Sequence, residues 1–492
     1  MKVNIIQFKS IFADINVNEF WVEIKSPQQM EDQSQLVYKG KMYQSLEKSK
    51  KMIAFHFEIY PDKLIRILVN QNDENQDDIH EEEKFSKMDY LILSSCFIKK
   101  IKIQDYSNNQ YTYGIRLQKE NFKCELFAEN SYMFNKWYDE IKRFCILSKF
   151  DKKYKIIQKL NTSNSYKCFR FSDSNQYQVK IFDKGTISSS QEKQILKETR
   201  VLRKLNSQYV TKLHEVYENE NNLFIVSELV QGLDMKYKLS NAIVLDEKII
   251  SEIIWKLLNA LQHIHQKNIF HRDIKLENIQ FKNLKTLVDV QLINFQSADF
   301  FYSNQIKNYK KYGTAGFIAP EVFNHSQYNQ KIDVFSLGII FYILLYGKLP
   351  FDSNTLENII KLNEKCEIDF DTKSHIIKCS SSAKDLLIRM LEKNPLLRPN
   401  ASELINHTWF VCMKNKQSAI YNSMSTIVEK SFEQSFNKQS QDNYSEIGTT
   451  FIEENTIGTE TLNQKMNVLN SDIYQKVPSK FIRNLNQGIN KF

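Results

Sequence analysis

His271-Arg272-Asp273-Ile274-Lys275-Leu276-Glu277-Asn278 is the stretch on which the reading of this 492-residue chain turns. It sets a carboxylate, a cation and an amide at fixed offsets on one short loop. Asp273 is suited to accept a proton from a hydroxyl, Lys275 to steady a phosphoryl oxygen, and Asn278 to ligate Mg²⁺. A charged surface loop is the alternative, and the patterned segments around it speak against that. Upstream, Glu247–Gln266 places Ile249, Ile253, Leu257, Leu258, Leu261 and Ile264 at a helical period, which predicts an amphipathic helix ending just before the loop. An apolar strand is predicted just after it.

Further segments follow in a definite order. Tyr154–Leu160 has a strand pattern, and Tyr177-Gln178-Val179-Lys180 ends another. Glu198 lies on a helix predicted over Gln191–Leu205, and the apolar strand Asn222–Val230 leads through Glu228 to Gly232. Beyond the loop come Leu292-Ile293-Asn294-Phe295-Gln296, Tyr312 to Glu321, Asp333 to Gly338, Leu397-Arg398-Pro399 and Trp409-Phe410. This order resembles the protein kinase superfamily, serine/threonine type and close to the calcium/calmodulin-dependent group, over about 154–410. The resemblance implies a two-lobed α+β fold that uses ATP and Mg²⁺ and acts on protein hydroxyls. It assigns Asp273 and Lys275 to catalysis. Lys180, Glu198, Leu160, Cys168, Glu228, Asn278 and Asn294 would contact the nucleotide, with Asn278 and Asn294 as the Mg²⁺ ligands. Glu321 would pair with Arg398.

The departures from the family pattern fall on the nucleotide parts. The three glycines of the phosphate loop are replaced by Asn161, Ser163 and Tyr166, so backbone N–H groups lose their close approach to phosphate. Cys168 stands where a valine covers the adenine, and Gln178 where a small alanine lies against it. Ser227 takes the gatekeeper position. Asn294 replaces the metal-binding aspartate of the L-I-D-F-G motif. Removing one charge beside a divalent ion costs on the order of 4 kcal/mol at moderate effective dielectric, or roughly a thousandfold in rate. Lys310, three residues before Gly313, puts a cation where an activating phosphate often sits, so a phospho-switch on Arg272 is not expected; Ser303 and Tyr309 are the alternative acceptors. The lobe-building motifs are intact.

The first third of the chain has another organisation. Residues 1–35 form an N-terminal extension. Short β patterns run over Leu36–Gln44, Met52–Tyr60, Lys63–Asn70, Tyr90–Ser94, Phe97–Ile103, Tyr111–Leu117 and Lys123–Ala128, interrupted by an acidic loop over 71–84. A helix is expected from Ser131, as cap, to about Ser148, with Met133, Trp137, Ile141, Phe144 and Cys145 on one face. Seven strands closed by one helix resemble a pleckstrin-homology domain over 36–148, a β-barrel plugged by its C-terminal helix. Lys39, Lys41, Lys48, Lys50 and Lys51 supply charge for weak anionic-lipid contact, about 1 kcal/mol each. The Lys-then-Arg pair of phosphoinositide binders is replaced by Met52 and Ile53.

Composition sets outer bounds. Net charge is +9 over 492 residues, mild for this length, and no nucleic-acid module is apparent. Seven cysteines are dispersed without a C-x-x-C pair, which reads as reduced thiols in a cytoplasmic protein, with any membrane contact peripheral. The most apolar segment, Phe335 to Tyr346, is too short to span a bilayer and reads as a core helix. Residues 411–492 are a polar tail expected to be mostly disordered, with a short helix over Ser418–Phe436 and no clear basic amphipathic pattern for calmodulin.

Two functions remain. One is an active serine/threonine kinase using Asp273, Lys275 and Asn278. The other is a tethered pseudokinase scaffold that binds protein partners. Asn294, Gln178 and the missing glycines favour the second.

Overall fold

The computed structural model describes residues 10–12, 21–24, 36–45, 52–68, 88–105, 110–120, 122–160, 164–240, 245–283, 286–301, 309, 311–324, 328–370 and 379–412. The chain divides into two units, Met1–Val230 and Gln231–Phe492. The acidic loop over 71–84, Lys48, Lys50, Lys51, Asn161, Ser163, Ser303, Lys310 and the tail beyond 412 lie outside the described residues.

The first unit is built on strands β1 (Val22–Glu23), β2 (Tyr38–Ser45), β3 (Met52–Tyr60), β4 (Lys63–Leu68), β5 (Met88–Ile92), β6 (Phe97–Asp105), β7 (Gln110–Lys119), β8 (Phe122–Phe127), β9 (Ile146–Leu147), β10 (Tyr154–Lys159), β11 (Ser165–Arg170), β12 (Gln176–Asp183), β13 (Leu213–Glu218) and β14 (Asn222–Glu228). They form one hydrogen-bonded sheet in the order β1-β5-β4-β3-β2-β8-β7-β6-β9-β13-β14-β12-β11-β10. Alternation explains the first part: on β2, Lys39 and Lys41 are exposed while Met42 is buried. The β3–β4 turn rests on Asp62, whose left-handed φ of 73° an aspartate tolerates. Its carboxylate accepts the Ser94 N–H at 3.0 Å, pinning the next hairpin.

Helix α1 (Ser131–Ile141) follows β8, and helix α2 (Ser189–Lys204) follows β12. Asn130, not Ser131, caps α1, its side chain accepting the Met133 N–H at 2.9 Å. The helix also ends earlier than the apolar period suggests. Beyond Ile141 the backbone is claimed by strand pairing: the Ile146 N–H donates to the Cys96 carbonyl at 2.8 Å. Ile146 and Leu147 thereby become β9, parallel to β13, with Ile146 also beside Phe97 of β6. Trp137 is fully buried against Tyr38 and Phe57, as a closing helix requires. The seven strands and helix occur in the expected order, but they do not form the closed barrel. The outer edge of β5 is taken by β1 and that of β6 by β9, so the sheet stays open and runs on into residues 154–230.

The second unit is mainly helical. Its helices are α3 (Met235–Ser240), α4 (Glu247–Gln266), α5 (Pro320–Asn324), α6 (Lys331–Tyr346), α7 (Leu356–Lys365), α8 (Ser381–Met390) and α9 (Ala401–Leu404). Two short ladders, β15 (Ile269–Phe270) with β18 (Asp299–Phe300) and β16 (Ile279–Phe281) with β17 (Val290–Leu292), carry the loops between them. Asp246 caps α4, accepting the Ile249 N–H at 2.7 Å. Helix α6 is buried on nearly every side, and a Cβ at Gly338 would lie 2.8 Å from Leu391 Cδ2, so a larger residue there would push the Leu391 side chain aside. No helix among the described residues is long and apolar enough to cross a membrane.

The second unit is stapled by Arg398, whose side chain is fully buried and forks onto Glu321 at 2.6 and 3.1 Å. It also donates to the carbonyls of Glu392 at 2.8 Å and Lys331 at 3.1 Å. Arg398→Ala would strand a buried carboxylate, with an expected loss of about 3–5 kcal/mol. Denaturant unfolding of the second unit measures it, and a loss below about 1 kcal/mol would contradict this assignment.

Candidate active site

The 271–278 loop is shaped by one carboxylate in the first turn of α6. Asp333 accepts the backbone N–H groups of His271 at 2.8 Å and Arg272 at 2.9 Å, and lies 3.0 Å from His265 Nε2. These bonds hold Arg272 at a left-handed φ of 67°, which costs a non-glycine residue about 1–2 kcal/mol. Burial alone would raise the Asp333 carboxyl, but the hydrogen bond and charge of His265 and the backbone N–H of His271 prevail and hold it below the usual range. Burial pushes His271 down, keeping it neutral. The Ile293 carbonyl 3.1 Å from Nε2 then fixes the tautomer, and Nδ1 accepts the Asp273 N–H at 3.3 Å.

On this backbone the side chains form one chain of bonds. Thr314 Oγ1 donates to Asp273 Oδ1 at 2.7 Å and accepts from Lys275 Nζ at 3.0 Å. Lys275 Nζ also stands 3.6 Å from Asp273 Oδ2. Asn278 Nδ2 donates to the Asp273 carbonyl at 2.7 Å and to Oδ2 at 3.2 Å. Those two acceptors orient the Asn278 amide, so its Oδ1 faces Asn294, whose Nδ2 donates to it at 3.0 Å. Asn294 sits at φ 64°, a left-handed conformation that asparagine adopts readily. Phe295 is fully buried, its ring 4.8 Å from that of His271. Arg272 donates to the Ser297 carbonyl at 2.7 Å and lies 3.3 Å from the Asp299 carboxylate.

In the first unit, Lys180 Nζ meets Glu198 Oε1 at 2.7 Å, as expected. Gln178, two residues before Lys180 on the same face of β12, donates to Ser165 Oγ at 3.2 Å. Cys168 is placed differently from the expectation. The hairpin register sets Cys168 opposite Tyr177, and Lys167 opposite Gln178. Cys168 therefore faces the apolar core with Tyr177 and Val179, away from Lys180 and Gln178, and burial pushes its thiol up to about 12. Leu160 is half-buried, its N–H donating to the Ser165 carbonyl at 2.8 Å. Glu228 ends β14 opposite Tyr177.

A family model described as "Protein kinase domain" matches residues 154–410. The chain belongs to the protein kinase family. It is 32% identical over 305 residues to a probable serine/threonine-protein kinase 2 of Plasmodium falciparum, covering 62% of this chain and 57% of that protein. It is 32% identical to calcium-dependent protein kinase 4 of Plasmodium berghei, covering 49% and 46%. It is 27% identical to myosin light chain kinase A of Dictyostelium discoideum, covering 52% and 85%. The chain spans about half the length of the two Plasmodium relatives. The family model begins at residue 154 and does not extend over 36–148, so it does not confirm a pleckstrin-homology domain there.

A Mg²⁺ ion held by the two asparagines would have to break the bond between them, and would meet two neutral oxygens where the family pattern supplies a carboxylate. Asn278 Oδ1, the oxygen such an ion would need, already accepts an N–H, and Asn294 turns a donor, not an oxygen, toward the same point. Both Asp273 carboxylate oxygens accept hydrogen bonds as well. Two organising residues had no role in the sequence reading. Thr314, inside the Gly313-Thr314 motif, bridges acid and lysine, and Asp333 orders the loop backbone from 61 and 62 residues away. Because the folded Asp333 pKa lies below its unfolded value near 3.9, its stabilisation is present above about pH 4 and fades below it. Asp333→Asn is expected to cost about 3 kcal/mol at pH 7, with the gap from the parent shrinking toward pH 3. Urea unfolding at both pH values decides, and a gap independent of pH would be the contrary result.

Proposed function

We propose that this protein is a kinase-family scaffold with impaired phosphoryl transfer, binding protein partners through its kinase fold. The observation that carries this reading is the Asn294–Asn278 amide bond. An aspartate at 294 would set carboxylate oxygens against the Asn278 carbonyl, a pair of acceptors that a cation or a bridging water must reconcile. The amide removes that need, because donor meets acceptor and the site is satisfied without metal. Lys180 keeps its Glu198 partner, so a cation for nucleotide phosphates persists while the metal ligands are changed.

A second reading, an active serine/threonine kinase, draws support from the intact Asp273–Thr314–Lys275 arrangement. There Asp273 would take the proton of a protein hydroxyl and Lys275 would offset charge on the transferred phosphoryl group. A radiolabelled-ATP transfer assay with Mg²⁺, on a generic protein substrate, separates the two. The parent is expected to stay near the background of Asp273→Asn, and Asn294→Asp to rise at least about tenfold as the metal charge returns. Robust transfer by the parent that disappears in Asp273→Asn would establish the second reading.

A further inference from the structure

Helix α2 carries Glu198 and, five residues later, Arg203. Five residues turn a helix by about 140° beyond a full circle, so the two side chains leave different flanks. Glu198 meets Lys180. The buried Arg203 side chain donates from Nη1 to the Ser94 carbonyl at 3.3 Å and from Nη2 to the Cys145 carbonyl at 3.1 Å. Both carbonyls precede the kinase-matched region: Ser94 lies in the turn after β5 and Cys145 immediately before β9. The guanidinium carbon is 5.5 Å from the Phe12 ring centroid. Ile11 and Phe12 pack in one apolar cluster with Ile195 of α2, Phe97 and Ile146. On the solvent side Arg200 stands 3.8 Å from Asp62. A buried cation tolerates little displacement from the oxygens that replace its water, so α2 cannot roll or slide without a large penalty.

We propose that Arg203 is a positioning residue for the Lys180–Glu198 pair, through which Phe12, Ser94 and Cys145 of the N-terminal third grip α2 and fix where Glu198 meets the lysine. The N-terminal third of the chain is thereby part of the apparatus that presents Lys180, rather than an appended module. Loosening of the turn at 93–95 or of β9 is transmitted along α2 to that lysine.

Peptide-resolved acylation of lysines in the folded full-length protein tests this without nucleotide. Glu198→Gln, which breaks the pair directly, sets the upper reference for Lys180 labelling. Arg203→Ala should raise Lys180 labelling roughly two- to fivefold, to the level of Glu198→Gln, as expected for loss of a partly exposed ion pair. Lys331 in the second unit should label at the parent rate in all variants. Arg203→Lys keeps the charge but not the two-carbonyl fork, and should fall between parent and Glu198→Gln. A folded Arg203→Ala protein that melts earlier yet labels Lys180 at the parent rate would reduce Arg203 to a structural role and overturn the proposal. Should Arg203→Ala not fold, Arg203→Lys labelling at the parent rate would overturn it instead.

Discussion

A single buried carboxylate, Asp333, takes two consecutive backbone N–H groups and forces the 271–273 loop into a conformation that Arg272 would not adopt unaided. The rest of the second unit's site depends on that constraint. With the backbone fixed, neutral His271 is wedged between the Ile293 carbonyl and the Asp273 N–H. Asp273 then presents one oxygen to Thr314 and the other to Asn278. The site is rigid because each buried polar group has one satisfactory partner arrangement, and a partly satisfied network at such burial is costly.

Rigidity of this kind does not itself require catalysis. The Asp273–Thr314–Lys275 triangle is complete, and the adjoining amide pair makes an ordinary hydrogen bond where the family pattern has an aspartate. The exchange costs little in folding because asparagine keeps the left-handed backbone at 294 and its N–H finds an oxygen at 3.0 Å. One atom-for-atom change, oxygen to nitrogen, thus leaves the backbone intact while, on the reading proposed above, weakening the metal site. A parallel holds in the first unit, where Lys180–Glu198 survives although Gln178 now spends its amide on Ser165.

What was legible in the sequence was local. Met52–Tyr60 appears as a strand with the predicted limits, because alternation and a Pro-Asp turn act within a few residues. Glu247–Gln266 likewise follows from its apolar face and the Asp246 cap. The Arg398–Glu321 and Lys180–Glu198 pairs were legible through their motifs. The failures lie where distant backbone decides. Helix α1 stops at Ile141 because Cys96 and β13 claim Ile146, which no helical period records. Cys168 turns to the core because hairpin register, not motif spacing, chooses its face, and one residue of register reverses every side chain. The barrel was expected from strand order, but order says nothing about whether the edges of β5 and β6 find each other or other partners. Arg203 was invisible for the same reason: its acceptors are carbonyls 58 and 109 residues away.

The central claim is that the site at 278 and 294 is self-satisfied without a divalent ion. Nucleotide thermal shift, with a non-hydrolysable ATP analogue at fixed concentration, tests it most directly, since a ligand stabilises the fold according to its affinity. With the parent protein, the shift should be the same, whether small or large, in Mg²⁺ and in EDTA. Only Asn294→Asp should gain an increment that requires Mg²⁺. A parent shift that appears with Mg²⁺ and vanishes in EDTA would show the ion bound between the asparagines and contradict the account.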